Sequence, residues 1–491
     1  MRFSMLLKSA GISPRHCRGE AEVTSVAVDS RQCQAGACFV AVRGWADDGH
    51  RYIPAAVSAG SSAVVCEDAS TVPPEVAFAA VDDAREALGR LAQAIRGWPA
   101  RALTSIAITG TNGKTTVAHL IREALAAAGH SPALLGTIRY ETALRSVPAV
   151  TTTPDPVSLA EMTAEMVAGG QTHLVMEVSS HALDQRRTAG LDFRVAVFTN
   201  LSGDHLDYHK TMDRYLAAKR LLFEGLSPDA TAVVNRDDDN NVGEAMAKAT
   251  RAKVLWYGLS PAADLRARIR EIDATGTRFD VICGAQEIPV ATPLIGRHNV
   301  FNWLAAAGAC TALGMDLSAV APALERVAKI RGRLERVDSP APYQVFVDYA
   351  HTDHALANVL SSFVAVKGGR VIVVFGCGGE RDRTKRPRMA RVAEQLADRI
   401  VVTSDNPRNE DPQAIIDEIV AGLGEAGRAK ADIEPDRRAA IGLAISQARE
   451  GDVVLIAGKG HEPYQILGDR RVQFDDVEVA EEMMRRREEE R

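Results

Sequence analysis

The stretch AITGTNGKTT, Ala107–Thr116, decides how the rest of the chain is read. An apolar run, LTSIAIT, stops at Gly110, and small or polar residues follow through Thr111, Asn112 and Gly113. Lys114, Thr115 and Thr116 then open a helical pattern in which Val117, Leu120, Ile121, Ala124, Leu125 and Ala128 recur on one face, with Gly129 as its stop. A strand, a small-residue turn and a helix start bring backbone N–H groups and a helix dipole to bear on phosphate oxygens. The lysine reaches the outer phosphates, and Thr115 is placed for Mg²⁺. The common form of this loop carries glycine where Ile108 stands, so the loop is a variant.

Other apolar runs flank it: HLVMEV, VAVFT and TAVV, then beyond residue 340 VFVD, VIVVFG, IVVTS and DVVLIAG. Strands alternating with helical stretches predict α/β domains with mostly parallel sheets, whose ligands gather beyond the carboxyl ends of the strands. Before Pro99 the chain shows shorter β-like runs (SVAVDS, CFVAV, SAVVCE), and RGWPARAL reads as a linker. Three regions separate on this reading, residues 1–99, 100–335 and 336–491, the first with short β-like runs and each of the other two an α/β series of its own. The ending EEMMRRREEER reads as a charged, fraying helix.

The bulk properties narrow the partners. The chain has 491 residues, with 58 Lys+Arg against 64 Asp+Glu, a formal charge of −6. That balance argues against a broad nucleic-acid or anionic-membrane surface. No apolar run is long enough to span a bilayer, and the N-terminal patch is too short for a signal peptide. Seven scattered cysteines without a C-x-x-C pair suit reduced thiols and a cytoplasmic protein.

Further polar motifs begin where apolar runs end. Glu177 closes a strand beside the loop, as a metal ligand or an ion-pair partner, and Ser179, His181, Gln185 and Arg187 follow it. Asp204, His205, Asp207 and His209 fit no zinc spacing; oxygen donors with one imidazole suit Mg²⁺ or Mn²⁺. Lys219 on the helix MDRYLAAKRLLF reads, from its residue type alone, as a solvated lysine. Asn299 and Asn302 are one turn apart at a helix start, as caps or as a base-reading pair. Arg331 and Arg333 sit at a domain junction, within reach of a phosphate. Asp348 and His351 end a strand, Arg381 lies in a Gly-rich basic turn, and Lys459, His461 and Glu462 follow the last strand. In VVTSDNPRNEDP, Pro407 either begins a solvated turn or stiffens a loop that aims Arg408 at a ligand.

The ordered set GTNGKTT, TTTPDP, MEVSSHALDQRR, TNLSGDHLDYH, GRHNVFN, GRLE, DYAH, GCGGERD, DNPR and AGKGHE, with DSRQCQAGACFVAVRGWADDGH near the N-terminus, resembles the Mur ligase family over essentially the whole chain. Members are ATP-dependent amide-forming enzymes that build the peptidoglycan stem peptide. The resemblance implies a small mixed α/β UDP-substrate domain over residues 1–99, a P-loop-type ATPase domain over 100–335 and a Rossmann-like amino-acid-binding domain over 336–491. The resemblance implies an ATP site at Gly110, Thr111, Asn112, Gly113, Lys114, Thr115, Thr116, Asn299, Asn302, Arg333 and Asp348. It implies Mg²⁺ at Thr115, Glu177, His205 and a Lys219 carbamylated by CO₂, with Lys114, Glu177, His205, Lys219 and Arg333 as the catalytic set. Ser30, Thr152, Thr153, Ser179, Gln185 and Arg187 would hold a UDP-muramoyl dipeptide. The DNPR motif marks the members that add diaminopimelate, so Arg381, Asp405, Asn406, Arg408, Gly458 and Glu462 would form that pocket. Lysine-adding and folylpolyglutamate-forming ligases are the nearest rivals, and a nucleotide-switched binding protein is a rival of another class. A monomer working on small molecules, without nucleic acid or membrane, is expected. One departure is local: the family's DYAHTPDAL stands here as DYAHTDHAL, with Asp353 and His354 in place of proline and aspartate.

Overall fold

The computed structural model describes residues 1–44, 47–364 and 368–489. Trp45 and Ala46 of the N-terminal motif, and the last two residues of the charged tail, lie outside the described residues.

Three sheets organise the chain. The first has five strands in the order His16–Arg18, Ala77–Ala80, Ser61–Cys66, Ala37–Val40, Ser25–Ala27, parallel except for its first pair. Its strand residues Cys38, Val40, Ala63 and Val65 pack on one face against Leu88 and Leu91 of the helix Ala84–Ile95. That helix ends at Ile95, and a short 3₁₀ turn, Pro99–Ala102, with Pro99 and Ala100 buried, leads to the second sheet.

The second sheet has eleven strands. Its parallel centre runs Lys253–Gly258, Thr231–Asn235, Phe193–Phe198, Thr104–Thr109, His173–Glu177, Pro132–Leu135. Thr104–Thr109 lies between two strands that both follow it in sequence, so chain direction across the sheet reverses there. The phosphate-binding stretch leaves the sheet at this switch point, where α/β sheets open a crevice. The central strands are buried on both faces, which is why they read as continuous apolar runs. The antiparallel strands Leu265–Asp273, Gly276–Cys283 and Gln286–Thr292, and the hairpin Arg139–Glu141 with Ser146–Pro148, were not foreseen.

The helix after the loop spans Lys114–Ala127, and Gly129 follows its cap at φ 84°. Val117, Leu120, Ile121, Ala124 and Leu125 are buried as expected, but Ala128 is exposed, because it caps the helix rather than continuing its inner face.

The third sheet orders Glu335–Arg336, Gln344–Asp348, Val453–Ala457, Val371–Phe375, Arg399–Val402, Ala431–Ile433, parallel except for the first pair. Its first strand straddles the expected boundary at residue 335. Up to Arg487 the acidic-basic tail is docked rather than fraying. It ends a helix, Asp476–Glu489, that buries Val479, Ala480 and Met484. Arg487 there donates to the carbonyls of Ile445 and Ala448, and Asp476 forms a fully buried ion pair with Arg437 at 2.6 Å.

Candidate active site

A cavity of about 710 Å³ lies between the second and third sheets. Thr111–Thr116, Glu177, His205, Asn299, Asn302, Arg333 and Asp348 all line it, although they come from six separate segments. Gly113 is the helix N-cap at φ 88°, and a Cβ there would run into the Asn302 side chain, so glycine lets the loop and the adjoining helix close together. Asn302 donates to Asn299 Oδ1 (3.0 Å), and Asn299 donates to the Ile295 carbonyl (2.9 Å). The cap of that helix is Gly296, so the capping reading of the two asparagines fails.

The lysines carry the electrostatic argument. Lys114 Nζ donates to the carbonyls of Gly110 (3.0 Å) and Thr111 (2.8 Å), and Lys219 Nζ donates to the same Gly110 carbonyl (2.8 Å). Lys219 is buried, contrary to the solvated reading. Burial, and then the neighbouring Lys114, push its ammonium well below the usual lysine range; Lys114 is lowered too, chiefly by burial. Two ammonium groups on one buried carbonyl repel, which favours a neutral amine on Lys219.

Glu177 holds no ion pair among the described residues. Its carboxylate accepts from the Thr115 hydroxyl (2.9 Å), the Thr137 N–H (2.8 Å) and the Thr137 hydroxyl (2.9 Å). Thr137 and Tyr215 were missed by the sequence reading. The Tyr215 hydroxyl meets Thr111 Oγ1 at 3.1 Å, its ring carries Lys219 Nζ at 4.5 Å, and its edge faces the His205 ring at 6.1 Å. His205 takes a left-handed backbone (φ 55°), and desolvation, opposed by the neighbouring Asp204, lowers its imidazole, which favours the neutral form that can ligate. Among the described residues no three His, Cys, Asp or Glu side chains form a ready metal cluster. The donors present are a hydroxyl, a carboxylate and an imidazole, with the Lys219 amine beside them. A carbamate on that lysine would make the set one that fits a hard cation.

Arg333 crosses the domain junction: Nη2 donates to Thr115 Oγ1 at 2.9 Å, and its guanidinium lies 4.9 Å from the centre of the Tyr349 ring. Asp348 accepts the N–H groups of Leu334 (2.7 Å) and Ala350 (2.8 Å), and burial raises its carboxyl.

The dipeptide candidates divide. Thr152 and Ser179 line the cavity. Thr153 is fully buried, its hydroxyl donating to the Glu177 carbonyl and accepting the Ser179 N–H, so it holds the site rather than facing it. Arg187 donates to Gln185 Oε1 (2.8 Å) and to the Thr153 carbonyl (2.9 Å). Ser30 begins a short turn, Ser30–Gln32, in the first domain, away from the cavity lining.

A second cluster lies where three loops of the third sheet meet. Asn406 Nδ2 donates to Glu462 Oε2 (2.8 Å), while Asn406 Oδ1 accepts from Lys459 Nζ (3.2 Å) and the Ile466 N–H (3.0 Å). Burial and Asp405 raise the Glu462 carboxyl. Arg408 sits at φ 54°, a left-handed conformation that non-glycine residues adopt at a cost. Its Nη1 donates to the Gly379 carbonyl (2.6 Å), and its Nε and Nη2 have no partner among the described residues. Gly458 packs beside the Asp405 carboxylate, and Arg381 is exposed at the rim.

Three family models divide the chain between them: the Mur ligase family catalytic domain over residues 22–96, the Mur ligase middle domain over 108–310, and the Mur ligase glutamate ligase domain over 332–460. The chain belongs to the Mur ligase family. A protein of Solibacter usitatus named UDP-N-acetylmuramoyl-L-alanyl-D-glutamate--2,6-diaminopimelate ligase is 44% identical over 95% of this chain and 94% of its own length. One of the same name from Geobacillus thermodenitrificans is 43% identical over 96% and 97%. A solved structure with that name superposes with a TM-score of 0.69 at 32% identity, covering 98% of this chain and 99% of its own. The Mur ligase arrangement explains why polar residues cluster on facing edges of two sheets.

Proposed function

We infer that the chain is an ATP-dependent ligase of peptidoglycan synthesis. It joins meso-2,6-diaminopimelate to the D-glutamyl γ-carboxylate of UDP-MurNAc-L-Ala-D-Glu, releasing ADP and phosphate. The observation that carries the amino-acid assignment is the pairing of opposite charges around Asn406. Glu462 offers a carboxylate to an ammonium, and the free Nε–Nη2 edge of Arg408 offers two parallel donors to a carboxylate. Diaminopimelate has a second carboxylate that lysine lacks, and lysine would leave that edge unpaired. We take Arg381, Asp405 and Gly458 as the rest of this pocket, and residues 1–99, 100–335 and 336–491 as the three domains.

A carboxylate is a poor acyl donor, so transfer of the γ-phosphoryl group to it must precede attack by the amine. Lys114 and Arg333 would meet the charge that collects on phosphoryl oxygens, and Asn299, Asn302 and Asp348 are proposed to hold adenine and ribose. Thr115, Glu177, His205 and carbamylated Lys219 would hold Mg²⁺, which supplies further charge neutralisation at the phosphates. A neutral Lys219 is the form whose lone pair can attack CO₂. Ser30, Thr152, Ser179, Gln185 and Arg187 are assigned to the UDP-muramoyl dipeptide, with Thr153 as their support. Among the described residues no helix is long and apolar enough to cross a membrane, and all seven cysteines are free, in keeping with a cytoplasmic site of action.

The test is phosphate release and product formation with ATP, UDP-MurNAc-L-Ala-D-Glu and a panel of meso-diaminopimelate, L-lysine and L-ornithine. Amide product with diaminopimelate alone is expected. Phosphate release indifferent to the dipeptide and amino acid would overturn the ligase reading, and equal use of lysine would overturn the pocket.

A further inference from the structure

We propose that Tyr349 is a positioning residue that couples the phosphate site to the amino-acid pocket, so that occupancy of one is felt by the other. The proposal rests on the ligase reading above and adds a residue to which no substrate role has been given.

Tyr349 follows directly on the strand Gln344–Asp348, at the junction of the second and third domains. Its ring face carries the Arg333 guanidinium at 4.9 Å, and its hydroxyl donates to Glu462 Oε1 over a long 3.5 Å. Beyond those two contacts the chain of partners divides. Arg333 donates to Thr115 of the phosphate loop at 2.9 Å. Glu462 accepts from Asn406 at 2.8 Å, within the cluster that also holds Arg408. One aromatic side chain therefore touches the arm that reaches each substrate, with its face used for a cation and its edge for an anion.

The backbone around it leaves little room for these contacts to move independently. The Tyr349 N–H donates to the Gly332 carbonyl at 2.9 Å, one residue before Arg333. A Cβ on Gly332 would collide with the Gly460–His461 backbone, and one on Gly460 would come within 2.8 Å of the Tyr349 Cβ. The root of Arg333, the root of Glu462 and Tyr349 itself are thus packed main chain against main chain. Burial and the neighbouring Glu462 push the phenol far above its usual range, so the hydroxyl remains a donor at any working pH. An anion drawing Arg333 toward the phosphate loop shifts the ring face, and the ring carries the hydroxyl relative to Glu462. Long apo contacts of this kind tighten when the complex forms. A two-ended contact couples sites only if each ligand biases the same element, which is the property to measure.

The experiment compares wild type, Tyr349→Phe and Tyr349→Leu, measuring the diaminopimelate KM at low and at saturating ATP. Wild type is expected to show a lower diaminopimelate KM as ATP saturates. Tyr349→Phe keeps the ring and loses the donor: the diaminopimelate KM at saturating ATP should rise about fivefold, the worth of one hydrogen bond, with the ATP KM within about twofold of wild type. Tyr349→Leu loses both contacts, so both KM values should rise and the diaminopimelate KM should no longer depend on ATP. A wild-type KM that ignores ATP, or a Tyr349→Phe enzyme identical to wild type, overturns the proposal. If Tyr349→Leu fails to fold, Tyr349→Phe decides alone. If the wild type prefers another amino acid, the pocket assignment fails, but the same measurement with that amino acid still decides the coupling.

Discussion

At the phosphate loop the chain turns on glycine, with Gly113 at φ 88°, and what it offers is main-chain N–H groups backed by Lys114 and Lys219. At the Asp405–Arg408 turn the left-handed residue is Arg408 itself, at φ 54°, and what it offers is one particular side chain. The cations also differ in their company. Lys114 and Lys219 rest on neutral carbonyls with no carboxylate bonded to them, whereas the Arg408 cluster already contains Glu462 and Asp405. Cations resting on carbonyls suit phosphate oxygens whatever else the anion carries, while the carboxylates of Glu177 and Asp348 stand elsewhere on the same cavity wall. A cluster that holds both signs side by side suits a zwitterion. On the proposed assignments, the phosphates of ATP would be met tolerantly and the amino acid specifically, with sensitivity to single side chains.

The largest effect should come from the first region. Lys219→Met removes a buried amine that shares a carbonyl with Lys114, and ligation should fall by about a thousandfold or more, as expected when transition-state charge loses its support. The same substitution should stabilise the fold by about 1–4 kcal/mol, because a poorly solvated amine gives way to an apolar chain of similar length. The sign of its pH dependence follows. Folded Lys219 has a lowered pKa, so the unfolded chain binds more protons at neutral pH, and this costs stability. The difference in melting between variant and wild type should shrink as pH rises toward the unfolded lysine value of about 10.5. Thermal melts in CO₂-depleted buffer measure it. A variant that is less stable than wild type at neutral pH would show that the lysine is paired.

These two regions were not equally legible in the sequence. The strand, turn and helix of AITGTNGKTT are contiguous, and the physics of phosphate binding needs only local geometry, so the loop could be placed from ten residues. Arg408 could be singled out because proline precedes it, but its free Nε–Nη2 edge depends on Gly379, twenty-nine residues earlier in the chain. Thr137, Tyr215 and Tyr349 escaped notice altogether. Each acts on a partner far away in sequence, and none has a residue type that announces chemistry. Lys219 could not be placed from its residue type alone for the same reason: helix lysines are usually solvated, so only the family resemblance singled it out, and only the fold brings the Gly110 carbonyl onto it. The unforeseen strand Leu265–Asp273 did carry a signal, since LRARIREI alternates apolar and charged residues as a half-exposed strand should.

A smaller effect, confined to the second region, is expected from Arg408. Arg408→Ala should raise the diaminopimelate KM about 10- to 100-fold, the worth of a charge-assisted fork, and leave the ATP KM unchanged. Arg408→Gly should show the same kinetic loss but exceed Arg408→Ala in stability by about 1 kcal/mol, because glycine adopts positive φ without strain. Steady-state kinetics beside thermal melts of both variants separate the two contributions. Equal stability of the two would mean that the turn relaxes and that the left-handed arginine stores nothing.

The smallest effect bears on where the two regions touch. His354, one of the two departures from the family pattern, is the second residue of the helix Asp353–Val364 in the third sheet's region and lines the cavity between the sheets. Its Nδ1 faces Asn112 Nδ2 of the phosphate loop at 3.4 Å and Asn358 Nδ2 at 3.3 Å. Two amide donors converging on Nδ1 suit a neutral imidazole with its proton on Nε2. Asp353, the other departure, lies 3.4 Å from Arg388 and supplies an acidic first turn to the same helix. His354→Ala removes one long neutral contact across the junction, and the ATP KM should rise only about two- to threefold, with the diaminopimelate KM unaffected. An increase of tenfold or more in the ATP KM would place the Nε2–H directly on the nucleotide. The phosphate loop would then be joined by a side-chain contact of the specific kind proposed for Arg408, and the contrast between a tolerant and a discriminating site would have to be redrawn.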